Sequence, residues 1–195
     1  MINEYQSKAD VPTLYTGRIV EIMPKMVEKG QVPANFAFCA LGILRGRDTW
    51  LERYHYLGDT FVIPPAEKSI GKFKMNHNSR GLLGVNEKTV LVEGLLPVDY
   101  DKSKGREFDV GGTGRDLKRE EAKKDEAYLE LCFGNKPFLK RLVDRVFDAG
   151  QKYGYEEMMG IYLPKDDFKQ TLEGALVVCG LEDGSQLDGW GSLDV

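Results

Sequence analysis

Histidine and cysteine, which most often carry neutral-pH catalysis or hold structural zinc, are scarce in this sequence. The 195 residues include two histidines and three cysteines. Cys39, Cys132 and Cys179 lie far apart in apolar stretches, which is typical of buried, reduced thiols. No pair of these residue types has the spacing of a zinc site, so the sequence predicts no metal site and identifies no catalytic residue or cofactor.

Long apolar runs are also absent, and residues 1–8 lack the basic and apolar segments of a secretory signal. We therefore expect a soluble protein, either cytoplasmic or internal to a virion, with no membrane contact. The formal net charge of -4 argues against a uniformly basic coat, but it is compatible with a local basic patch.

The sequence does have enough apolar material, 42% of its residues, to bury a core. Residues 1–98 contain short runs of β-branched and aromatic residues separated by Gly, Pro, Asn and Asp, which predicts an antiparallel β-rich half that forms a partly closed barrel. Hairpins are expected at Gly58-Asp59 and at Asn86-Glu87-Lys88. The expected strands are 14–23, 35–44, 49–57, 60–64, 69–75, 81–85 and 89–96.

Residues 99–126 are rich in charge and poor in apolar residues, which predicts an exposed connection. Residues 127–195 are expected to form a smaller α/β half with an acidic, Gly-rich tail. Its central element is a helix from Asn135 to about Tyr153, with apolar residues at three and four spacing. Strands are expected at 127–133, 158–163 and 175–181, and a short helix at Asp166 or Asp167. The fold class predicted for the whole chain is α+β.

One segment of the first half combines aromatic and basic residues. In a strand over 49–57, Trp50, Tyr54 and Tyr56 would share one face, and such a face can stack single-stranded bases. The alternative is that these aromatics form one wall of a β core. The predicted nucleic-acid site also includes the cations Arg45, Arg47, Lys72, Lys74 and Arg80.

A Gly-rich segment ahead of a possible helix is the second candidate site. Its backbone N–H groups could bind an anion at a helix start, although it matches neither the P-loop nor the dinucleotide motif. The alternative is a linker in which Thr113 and Asp116 cap the helix. The candidate anion-binding residues are Gly111, Gly112, Thr113, Gly114 and Arg115.

These features favour a non-catalytic binding or regulatory protein whose ligand is single-stranded nucleic acid, bound through the aromatic and basic strand face. Two alternatives stay open. One is an enzyme that acts on a phosphorylated small molecule or nucleotide at the Gly-rich loop. The other is a structural or assembly protein whose charged connection orders on contact with a protein partner.

Overall fold

A computed structural model of the chain describes residues 19–29, 31, 34–47, 55–63, 72–76, 91–92, 96–97, 106–109, 114–151, 159–162 and 172–178. These residues form helices and small antiparallel sheets, which confirms the predicted mixed α+β class. Among them, no helix is long and apolar enough to cross a membrane. The helices are α1 (Ile19–Glu28), α2 (Phe36–Leu44), α3 (Arg119–Ala122), α4 (Glu126–Leu131) and α5 (Lys136–Gln151).

The described strands are β1 (His55–Ile63), β2 (Lys72–Asn76), β3 (Leu91–Val92), β4 (Leu96–Pro97), β5 (Arg106–Asp109), β6 (Gly114–Leu117), β7 (Met159–Tyr162) and β8 (Leu172–Val178). They pair in three antiparallel sheets. Strands β5, β2, β1 and β8 form a four-stranded sheet in that order, whereas β3 pairs with β4 and β6 pairs with β7. Buried residues of α2, α4 and α5 pack with residues of β1, β5, β6 and β7 in one hydrophobic cluster.

Helix α5 confirms the predicted helix that starts after Asn135. The Asn135 side-chain oxygen accepts a hydrogen bond of 3.0 Å from the Phe138 N–H, as an N-cap does. The apolar residues of the predicted stripe are all buried, and they face the core because their three and four spacing places them on one side of the helix. They are Phe138, Leu139, Leu142, Val143, Val146 and Phe147.

The strands predicted at 14–23 and 35–44 are wrong, because residues 19–28 and 36–44 are helical. Helix α2 is apolar along its whole length, so its sequence has no period that separates a helix from a buried strand. Two polar contacts define its start. The Asn35 side chain accepts from the Phe38 N–H over 2.9 Å, and the Asp59 carboxylate accepts from the Phe36 N–H over 2.6 Å.

The hairpin predicted at Gly58-Asp59 is also wrong, because both residues lie inside the single strand β1. The register against β8 pairs Tyr56 with Val177 and Thr60 with Ala175, so β1 contains extra residues between these pairs. The Gly-Asp dipeptide therefore marks a bulge rather than a turn. The strand predicted at 69–75 is confirmed by β2, and the hairpin predicted at 86–88 lies outside the described residues.

Helix α4 replaces the strand predicted at 127–133. Its buried residues Ala127, Tyr128 and Leu131 follow helical spacing, and the Asp125 carboxylate caps it by accepting from the Tyr128 N–H over 3.0 Å. The strands predicted at 158–163 and 175–181 correspond to β7 and β8. They do not share a sheet, since β7 pairs with β6 and β8 pairs with β1.

The segment predicted as an exposed connection contributes to the core where it is described. Its strand β5 completes one edge of the four-stranded sheet, and Phe108, Leu117 and Ala122 are buried. The overall composition of the segment, which is dominated by charged residues, does not reveal these buried positions. The division of the chain at 98 and 126 and the partly closed barrel stay predictions.

Candidate functional site

The register of the four-stranded sheet brings three of the predicted nucleic-acid residues to one face. Lys74 pairs directly with Val62 on β1. The β8 partners of Val62, Thr60 and Tyr56 are every second residue of β8, namely 173, 175 and 177, so these three β1 residues lie on one face. Directly paired residues of antiparallel strands lie on the same face. Tyr56, Lys72 and Lys74 therefore occupy one face, which we call the polar sheet face.

Carboxylates occupy the same face. Glu107 lies across from Lys74, Asp109 lies across from Lys72, and Glu173 lies across from Val62. Glu107 and Asp109 are exposed. The lysines are thus balanced by acidic positions on neighbouring strands, so the polar sheet face has mixed charge rather than a basic excess.

The opposite face of this sheet belongs to the core. Phe73 pairs with Phe108, which is buried, and Leu57 and Asp59 on β1 are buried as well. Position 56 lies on the other side of β1 from Leu57. The register therefore places Tyr56 on the other face of β1 from Leu57 and Asp59.

The remaining predicted nucleic-acid residues are not brought to this face by any described contact. Arg45 is exposed and Arg47 is half-buried, both directly after α2. Trp50, Tyr54 and Arg80 lie outside the described residues.

The Gly-rich segment leads into a strand where it is described. Gly114 and Arg115 begin β6, which pairs with β7, whereas the predicted anion site assumed a helix start. The Arg115 guanidinium forms an ion pair with the buried carboxylate of Asp125. This cation is therefore already engaged by a carboxylate. Gly111, Gly112 and Thr113 lie outside the described residues.

A buried carboxylate that the sequence did not single out lies between α2 and β1. Asp59 is 0% exposed, and its charge adds to the effect of burial on two nearby thiols. Burial, and then Asp59, raises the pKa of Cys39 to about 12 and that of Cys132 to about 12. Both thiols are therefore protonated at neutral pH, in agreement with the predicted inert, buried role. The Gly-Asp context indicated a turn and hid this residue.

An ion-pair network covers the side of the core formed by α3 and α5. The Lys123 ammonium lies 2.7 Å from the Glu120 carboxylate and 2.8 Å from the Asp144 carboxylate. These hydrogen bonds raise the pKa of Lys123, and Lys123 lowers the pKa of Glu120. Arg119 binds Asp148 at 2.7 Å and Asp144 at 3.3 Å. Both cations of the network are paired with its own carboxylates, which favours a structural role.

Within the described ranges, no group of three or more His, Cys, Asp or Glu side chains is placed to hold a metal ion. The polar sheet face is therefore the candidate functional site that the described geometry best defines.

No protein-family model and no curated protein matches this chain. The chain is similar to a solved structure described as "Accommodation of massive sequence variation in Nanoarchaeota by the C-type lectin fold". The two chains are 13% identical, the similarity covers 86% of each, and the TM-score is 0.50. At this identity the similarity shows a C-type lectin-like fold and nothing about the ligand.

Proposed function

We propose that this protein is a non-catalytic binding protein and that the polar sheet face forms its ligand surface. The observation that supports the proposal is the sheet register, in which Tyr56, Lys72 and Lys74 share one face and the buried residues Leu57 and Phe108 lie on the other. An aromatic side chain and cations on one sheet face are the groups that bind single-stranded nucleic acid. Nucleic acid is therefore the first ligand class to test.

The fold is compatible with a binding role. The similar solved structure is described as accommodating massive sequence variation on this fold. A core that tolerates many different surface residues can present many different ligand surfaces. In this chain the buried residues of α2, α4 and α5 would supply such a core.

A protein partner of mixed charge is the second candidate ligand. Glu107, Asp109 and Glu173 share the face with the two lysines, and each carboxylate reduces the attraction for phosphate. Alternating charges on a flat face instead complement alternating charges on another protein, where they contribute mainly specificity.

An anisotropy titration with a labelled oligodeoxythymidylate at low salt separates the two ligand classes. If nucleic acid is the ligand, the double variant Lys72→Glu, Lys74→Glu should abolish binding. The matched variant Glu107→Lys, Asp109→Lys reverses charge on the same face and should tighten binding. The affinity should also fall steeply with salt, since each phosphate contact releases counterions.

If neither the natural protein nor the Glu107→Lys, Asp109→Lys variant binds the oligonucleotide, the nucleic-acid class is excluded and the mixed-charge protein partner stands. Equal binding by all three proteins would place the interaction elsewhere and contradict the proposed face. Circular dichroism melts of each variant control for folding.

A thermal-shift screen with nucleoside triphosphates and sugar phosphates tests the enzyme alternative. We expect no shift, because Arg115 is engaged by Asp125 and Gly114 begins a strand. A saturable rise in Tm would show specific binding to the native state. If this rise in Tm were lost in Arg115→Gln, a phosphate-binding function would replace the present proposal. Light scattering across a concentration series tests the assembly alternative.

A further inference from the structure

The turn between α4 and α5 holds an aromatic residue in a conformation that such residues rarely adopt. Phe133 has a φ of 55°, and it is the one non-glycine residue with positive φ in the described part of the chain. Its N–H donates to the Glu130 carbonyl over 2.9 Å, and the Gly134 N–H donates to the Leu129 carbonyl over 2.8 Å. These two bonds form a Schellman helix ending, in which the left-handed position is usually a glycine.

Burial does not compensate for this backbone conformation. Phe133 is 43% exposed, and no other large hydrophobic side chain among the described residues is exposed. A bulky residue in the left-handed region is strained, and a partly exposed ring recovers only part of the hydrophobic gain. The backbone conformation alone therefore favours glycine at this position. Residues held in sparsely populated conformations cluster at functional sites, which motivates a functional explanation for Phe133.

Three cations follow Phe133 in the sequence, on the first two turns of α5. Lys136, Lys140 and Arg141 are exposed, and none of them forms an ion pair within the described residues. The N-terminal end of the 16-residue helix α5 adds a partial positive charge in the same place. We call Phe133 and these three cations the Phe133 patch.

The carboxylates that border the Phe133 patch already have cationic partners. Glu130 binds Arg106 at 3.3 Å, and Asp144 binds Lys123 at 2.8 Å. Residues 133–143 themselves contain the three cations and no carboxylate, so the patch carries local positive charge in a chain whose net charge is negative.

We propose that the Phe133 patch docks an acidic segment of a partner protein, with Phe133 as the apolar anchor and the cations binding carboxylates around it. Anchors of protein interfaces are typically aromatic side chains surrounded by polar groups. The hydrogen bonds that end α4 also fix the backbone that carries the ring, which reduces the ordering cost of binding. Nucleic acid fits less well, because one ring stacks one base and successive bases need further aromatic side chains.

The test uses a short labelled peptide of glutamates around one tryptophan, a matched peptide with glutamines, and a labelled oligodeoxythymidylate. The protein should bind the glutamate peptide, and the affinity should fall with salt. Both Phe133→Ala and the double variant Lys136→Glu, Lys140→Glu should weaken binding by about tenfold or more. Lys25→Glu, at an exposed position of α1, is the matched charge-reversal control and should leave binding unchanged.

Phe133→Gly separates binding from stability. Glycine relieves the left-handed strain, which offsets the loss of the covered part of the ring, so Tm should change by no more than about 4 °C while the peptide affinity is lost. A purely structural role for Phe133 predicts a lower Tm with unchanged peptide affinity. A Phe133→Gly variant that still binds the peptide would overturn the anchor role.

Two further results would also overturn the proposal. One is equal binding of the glutamine peptide, and the other is binding of the oligonucleotide with the same dependence on Phe133. The proposed function of the polar sheet face is tested separately, since the Lys72→Glu, Lys74→Glu variant should bind the glutamate peptide normally. Failure of one surface can thus be distinguished from failure of the other.

Discussion

Helices α2 and α5 pack against each other in the core, but their sequences are of different kinds. Helix α5 has charged residues on one side and buried apolar residues on the other, whereas the nine residues of α2 are apolar throughout. Both helices start at an asparagine cap. In α2 the carboxylate of Asp59 adds a second contact at the same end.

This difference indicates which interactions fix the position of each helix. The position of α5 around its own axis follows from its apolar stripe, because only one side can face the core without burying charge. Helix α2 has no such stripe, so its polar contacts at the N-terminus must define where it begins and how it sits against β1.

The largest effect is expected from removing a side chain of the α5 stripe. Leu142 is 0% exposed, so Leu142→Ala should lower the free energy of unfolding by about 2 to 5 kcal/mol through lost burial and a residual cavity. Urea denaturation measures this. Lys140→Ala on the exposed side of the same helix is the control and should stay within about 0.5 kcal/mol of the natural protein. Equal costs for both variants would mean that the stripe does not specify α5.

The second prediction concerns the polar contact of α2. Asp59→Ala leaves the Phe36 N–H buried without this acceptor, which should cost about 1.5 to 3 kcal/mol. The exposed Asp109→Ala on β5 is the matched control. An unchanged urea midpoint for Asp59→Ala would show that α2 is specified by packing alone, as α5 is.

The third prediction is a pH dependence that comes from the two buried thiols, Cys39 of α2 and Cys132 at the end of α4. The raised folded-state pKa of Cys39 and Cys132 means that their contribution to stability is fully present below the ordinary thiol pKa of 9.0 and is lost as the pH rises toward 12. At about pH 10 the free energy of unfolding should be lower by on the order of 1 kcal/mol per thiol than at about pH 8. Urea melts across this range measure the slope.

The matched variants for this slope are Cys39→Ala and Cys132→Ala. Each should flatten the fall in stability between about pH 8 and about pH 10, whatever its cost at neutral pH. A slope that both variants leave unchanged would show that other groups are responsible.

The smallest effects are expected at the caps. Asn35→Ala and Asn135→Ala should each cost about 1 kcal/mol, because each leaves an N–H at a helix start without its side-chain acceptor. The two caps differ in their coupling to Asp59. Asn35→Ala should be non-additive with Asp59→Ala, since both contact one helix end, whereas Asn135→Ala should be additive. Strict additivity in both pairs would show that Asn35 and Asp59 do not act together at the start of α2.

These differences also decide how much of the fold the sequence predicts. Helix α5 was predicted correctly because its stripe and its cap agree. Helix α2 was read as a strand because a short apolar run has the same appearance in a buried strand. Helix α4 was misread because Ala127, Leu129 and Leu131 happen to alternate, although Tyr128, and not Leu129, is among its buried residues.

The candidate sites were predictable to different degrees. Tyr56, Lys72 and Lys74 could be proposed from composition, but only the register shows that they share a face with Glu107 and Asp109. Which strands pair depends on contacts far apart in sequence, and local patterns do not contain that information. The Phe133 patch was missed because glycine, and not phenylalanine, is the usual signal for a helix ending.

The pairing of β1 with β8 has a consequence for the order of events during synthesis. Strand β1 lies between β2 and β8, and its β8 partner is translated only after all of α3, α4 and α5. During synthesis, one edge of β1 is therefore unpaired while the helices have already been translated and can pack. Such long-range pairing slows folding, and a waiting strand edge can pair with a neighbouring nascent chain. Chaperones that cover this edge until β8 emerges would raise the yield of the native protein.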